Sequence, residues 1–202
     1  MRKVVIMFFI LLTLTGCSIV RINTNNIDTI IDVILSRNNN LYNRVGRGYK
    51  YYVPRGVTYI DTDENNDKLY SKGIYYYLYV DIVSYYNKID MDYEEKKNIY
   101  YSRKLSKNDG FSSDGYLEIT VKDNLYYVVF VYNYAKIETI VSNHELNDAI
   151  LNSAYMLSTI QFNSDVIGLM LDSEKLNNRE EKYEIFENKK NGDSSELQVS
   201  EQ

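Results

Sequence analysis

The chain has 202 residues and a formal net charge of −5, from 23 Lys and Arg against 28 Asp and Glu. That length suits one domain of ordinary size with a real core and is cramped for two. The acidic balance argues against a nucleic-acid or anionic-lipid surface, and no basic stripe with aromatic interleaving stands out.

Met1-Arg2-Lys3 precede an apolar run from Val4 to Leu14 in which Thr13 alone is polar, and Gly16-Cys17 follow. This is the order of a positive n-region, an apolar h-region and a small-residue exit. The run is much shorter than the roughly 20 residues a spanning helix needs, so cleavage is expected. Leu14-Thr15-Gly16-Cys17 resembles the lipobox of bacterial lipoproteins. The resemblance implies a diacylglyceryl group on the Cys17 thiol, a cut just before it, and a lipid-anchored protein on the outer, extracytoplasmic face of the cell membrane. Two acyl chains give lasting anchorage where one is marginal. The division expected is a signal over 1–16, a tether over 17–25, a single α+β domain over 26–188 and a disordered tail over 189–202. The tether reaches less than roughly 30 Å, which keeps the domain close to the bilayer.

Along the mature chain, Ile27, Ile30, Ile31, Ile34 and Leu35 follow the spacing of one helix face behind a cap at Thr24, Asn25 or Asn26. Tyr49 to Val53 and Val57 to Ile60 have strand composition around Pro54-Arg55-Gly56, which predicts a hairpin or bent strand pair. From Gly73 to Tyr86 the residues alternate. Ile74, Tyr76, Leu78, Val80 and Ile82 fall on one face of a central strand, and Tyr75, Tyr77, Tyr79 and Asp81 on the other. Further strands are expected over 98–105, 116–121, 125–134 and 136–141. Ser142 and Glu145 form a capping box opening a helix whose apolar face is Leu146, Ala149, Ile150, Ala154, Leu157 and Ile160. An apolar piece follows at 166–171 and a charged helix at 179–187. One helix, about six strands and then helices, without alternation, predict an α+β domain on an antiparallel sheet.

Tyr49-Lys50-Tyr51-Tyr52-Val53-Pro54-Arg55-Gly56-Val57 resembles the aromatic strand and turn that open PsbP/Mog1-like domains, although the Trp often found after that turn is Val57 here. The resemblance implies a layered antiparallel sheet and a non-catalytic interaction role. It carries no active site.

Candidate chemistry is sparse. Asp61-Thr62-Asp63-Glu64-Asn65-Asn66-Asp67 opens like a calcium loop, but Asn66 stands where Gly is needed and Lys72 where a bidentate Glu is needed, so a solvated turn is expected. His144 is the one histidine and Cys17 the one cysteine, which removes disulfides, multi-histidine metal sites and a Cys–His pair. Glu94-Glu95 and Glu180-Glu181 lie beside lysines and read as solvated faces. Gly46-Arg47-Gly48 is too short to cradle a nucleotide. No catalytic residue, metal or other cofactor is assigned.

Tyrosine is the compositional outlier, with 22 residues against 6 Phe and no Trp. AT-rich coding accounts for much of that. The row Tyr75, Tyr77, Tyr79 remains: packed core if the helix from His144 covers it, a stacking face for glycan or peptide if it is open. The leading expectation is therefore a membrane-tethered, non-enzymatic interaction module meeting an envelope protein or glycan. A lipoprotein capturing a small molecule or cell-wall fragment comes second, and a hydrolase with paired carboxylates third. A pocket of about 300 to 1,000 Å³ separates the second from the first.

Overall fold

The structure, a computed structural model, describes residues 24–37 and 39–173. The lipobox, Cys17, the expected helix at 179–187 and the tail lie outside these residues. Among the described residues no helix is long and apolar enough to cross a membrane.

Helix α1 is Ile27–Leu35, capped where Asn26 Oδ1 accepts from Thr29 N–H, and it buries Ile30, Ile31, Ile34 and Leu35. The strands that follow are β1 (Arg44–Val45), β2 (Tyr49–Tyr51), β3 (Thr58–Asp63), β4 (Asn66–Ser71) and β5 (Ile74–Val80). After helix α2 (Ile82–Asn87) come β6 (Tyr101–Leu105), β7 (Gly115–Lys122), β8 (Leu125–Tyr132) and β9 (Ala135–Val141). The described chain closes with helix α3 (Leu146–Ser158), β10 (Gln161–Phe162) and helix α4 (Ser164–Ser173). This is the α+β antiparallel class that the element order predicts.

The main sheet has the order β3-β4-β5-β9-β8-β7-β6, every neighbouring pair antiparallel. Alternation decides its two faces. Leu69, Tyr76, Leu78, Leu117, Ile119, Val128, Phe130 and Ile137 are buried on the face that α1 and α3 cover, with Ile150, Ala154 and Leu157 of α3 packed in the same core. A second sheet, β1-β2-β10, lies on that helix side, because Tyr51 reaches Asp67 on the inner face of β4 and Tyr52 N–H donates to Thr159 Oγ1 just past α3.

Several expected elements are corrected. Tyr49–Tyr51 and the strand after Val57 do not form a hairpin: β2 pairs with β1 and β10, whereas β3 pairs with β4. The central strand stops at Val80. There Asp81 caps α2, accepting from Ser84 N–H at 2.8 Å and from the Ser84 hydroxyl at 2.7 Å, which turns the chain out of the sheet. The acidic stretch 61–67 is not simply a solvated turn, since it crosses the β3-β4 hairpin and ends in a buried Asp67. Half of the capping box forms. Glu145 accepts from Ser142 N–H and hydroxyl, but Ser142 caps nothing and α3 begins after Glu145 itself. Both hydrogen bonds hold the Glu145 carboxyl below its usual range.

Gly115, at the start of β7, faces Tyr132 of β8 so closely that a Cβ would come within 2.2 Å of Val131 O. Backbone cannot yield as a side chain would. Gly115→Ala should therefore cost about 2 kcal/mol by overpacking, read as a lower urea midpoint with unchanged slope. Stability equal to the parent would show that β7 and β8 are less tightly apposed than described.

Candidate functional site

The strand order creates the site. β5 and β6 are consecutive strands, yet they stand four places apart in the sheet. At about 4.8 Å per strand the chain must travel roughly 19 Å sideways. Residues 81–100 make that journey across the face opposite α1 and α3. The crossing is pinned at its far end, where the Tyr93 ring stacks on Tyr116 at 4.0 Å and 4° and its hydroxyl meets Ser102 Oγ at 2.6 Å. Lys96 Nζ lies 2.9 Å from Glu118.

Between this crossing and the sheet lies a cleft of about 690 Å³. Register supplies its floor: Tyr79, Lys136, Val131 and Tyr116 form one row across β5-β9-β8-β7, and Glu138, Val129 and Glu118 the next. Ile89 and Met91 form an apolar wall on the crossing segment. Asn133 and Tyr134, both with positive φ, make the tight β8-β9 turn at one end.

The electrostatics are one-sided. Asp81, Asp90, Asp92, Asp114, Glu118 and Glu138 line the cleft against Lys107 and Lys136. Burial raises the Tyr116 phenol, and Glu118 and Glu138 add to the effect. Burial likewise raises Tyr134, with Asp90 and Asp114 adding to it. Both phenols therefore stay neutral donors in a negative potential.

Glu138 is the centre of this arrangement. It is 4% exposed, and Oε1 accepts from Lys136 Nζ at 2.9 Å. Oε2 finds no hydrogen-bond partner among the described residues. Such an oxygen costs about 1–3 kcal/mol unless something donates to it. Among the described residues no three His, Asp or Glu side chains are arranged to hold a metal ion.

The sequence-predicted Tyr row is split. Helix α3 lies on the other face, so the row is not covered as core. Tyr79 lines the cleft, while Tyr75 is 45% exposed and lies tilted between Tyr70 at 5.1 Å and Tyr77 at 6.5 Å, with Lys68 Nζ 4.7 Å from its ring centre. Sequence reasoning missed Glu118, Lys136 and Glu138. The available signal was charge in the middle of strands otherwise made of aromatic and β-branched residues. His144 is exposed just before α3, away from the cleft lining.

No family model matches the chain, and neither a curated protein nor a solved structure matches it.

Proposed function

We propose that this protein is a capture module that holds a small organic cation, an amine or guanidinium on an apolar body, in the cleft above β5-β9-β8-β7. Membrane tethering through Cys17 remains part of the reading, as the lipobox implies. The observation that carries it is the buried Glu138, with one oxygen lacking a donor inside a concave site of about 690 Å³, within the range of ligand pockets. A cationic head would satisfy Oε2, tyrosine faces would attract the same charge, and Val129, Val131, Ile89 and Met91 would take the apolar part. Glu118 and Glu138 each sit against a lysine ammonium. That equips them alike for binding, whereas hydrolysis needs two carboxyls of unlike environment.

The order of expectations is thereby reversed, with ligand capture ahead of partner docking. Docking of an envelope protein or glycan keeps one supporting observation, the exposed Tyr75 ring between the half-buried Tyr70 and Tyr77.

Calorimetric titration of the full chain with spermidine, agmatine and a lysyl dipeptide tests the reading against a size-matched neutral amide. At least one cation should bind, the amide should not, and affinity should fall as salt rises. Glu138→Gln should weaken binding at least about tenfold, the loss of one charge-assisted hydrogen bond. Binding indifferent to that substitution, or none at all, would exclude the cleft as a cation site.

A further inference from the structure

The net charge conceals a strong local asymmetry. From residue 33 to residue 60 there is no acid, while Arg37, Arg44, Arg47, Lys50 and Arg55 all fall there. The chain-wide balance that argued against an anionic-lipid surface does not apply to this stretch.

The fold gathers much of it onto the small sheet. Val45 and Lys50 are cross-strand partners, so their side chains stand together on one face. That face points outward, since Tyr49 and Tyr51, of opposite parity to Lys50, are buried. Lys50 Nζ sits 4.0 Å over the Tyr42 ring. Asn43 clamps Val53 through both its amide atoms, at 2.9 and 2.7 Å, which brings the exposed Arg55 turn alongside. Arg47 is exposed in the turn between β1 and β2. On the same side as Lys50, and near Arg47 in sequence, Leu41, Tyr42 and Val45 are 56%, 54% and 70% exposed, while Arg44, of opposite parity to Val45, stacks on the Tyr59 ring instead.

We infer that this face docks on an anionic phospholipid bilayer, with Leu41 and Val45 entering the interface, Tyr42 at headgroup level and the cations on lipid phosphates. Aliphatic tips flanked by Tyr, Arg and Lys match the layered chemistry of a membrane surface, and each cation near an anionic leaflet adds attraction. A soluble polyphosphate would satisfy the cations and leave Leu41 and Val45 without a role. The inference is independent of the cleft and of the acyl anchor, which would hold the chain near the bilayer whichever face it turned inward.

Because the chain has no Trp, one introduced indole reports alone. Full-length Val45→Trp in phosphatidylcholine vesicles containing phosphatidylglycerol should emit further to the blue and be quenched by brominated acyl chains. Full-length Tyr75→Trp, on the opposite face of the main sheet, is the reference for a residue turned to water. Adding Arg47→Glu and Lys50→Glu to Val45→Trp, with the fold checked by circular dichroism, should lower quenching to that reference level. So should high salt, or vesicles without phosphatidylglycerol. Quenching of Val45→Trp no greater than that of Tyr75→Trp, or equal in neutral vesicles, overturns the inference. So does a response to soluble polyphosphate without one to vesicles.

Discussion

Raising the pH through about 10 to 12 is expected to unfold the protein in one cooperative step. Burial is the first cause of a raised pKa at Tyr49, Tyr51, Tyr76 and Tyr93, the last reaching about 12. Asp67 adds to the effect at Tyr49 and Tyr51. Below pH 10 these phenols keep their protons whether the chain is folded or not, so the stability they represent is fully present. Above it the unfolded chain releases protons that the folded chain retains, and stability falls until the folded phenols also ionise. A tenfold difference in proton affinity between the folded and unfolded chain, at one fully buried phenol, is worth about 1.4 kcal/mol. Several such groups together rival the roughly 5–15 kcal/mol that holds a domain. The final step in tyrosinate absorbance, that of the buried phenols, should therefore coincide with the loss of far-ultraviolet circular dichroism. Tyrosinate absorbance that reaches its full value with the fold intact would show that these rings are accessible to solvent.

Asp67→Ala is expected to be the most damaging single polar substitution, at about 3 kcal/mol. Asp67 is 4% exposed and accepts from the fully buried Tyr51 hydroxyl at 2.5 Å, while Thr62 donates to its other oxygen. Alanine would strand the Tyr51 hydroxyl where water cannot reach it, and would cut the tie between the small sheet and β4. Tyr51→Phe leaves a buried carboxylate with one donor fewer and should cost about 2 kcal/mol. The two together should cost less than their sum, because the second change removes a group already stranded. Urea midpoints give all three values. Purely additive losses, or an Asp67→Ala effect no larger than that of the exposed Asp63→Ala, would mean that the hydrogen bond does not join these sheets.

The same residue explains why part of the fold was hidden from the sequence. Helices α1 and α3 and strands β5, β7, β8 and β9 were legible because their periodicities run almost unbroken. β4 was not: its inward positions are Asp67, Leu69 and Ser71, and a strand whose core side is largely polar reads as a turn. The partner that makes Asp67 tolerable inside, Tyr51, lies in another sheet. In sequence α2 reads as the end of β5 because Tyr85 and Tyr86 have strand composition, and the Asp81 cap overrides that preference. The cleft was still less visible. Glu118 and Glu138 become neighbours across Val129 only through pairings fixed in three dimensions. The basic patch was visible as composition, yet the chain-wide charge averaged it away.

The strand order also has a consequence in time. β3-β4-β5 and β6-β7-β8-β9 are two runs of consecutive hairpins, and a single long-range seam, β5 against β9, joins them. Local hairpins close in about 1–10 μs, whereas pairing across many residues waits on the entropy of the intervening loop. That seam is where Tyr77 meets Glu138 and Tyr79 meets Lys136. By that measure the cleft forms after the hairpins on either side of it, and each half can be native in its own hairpins before the cleft exists.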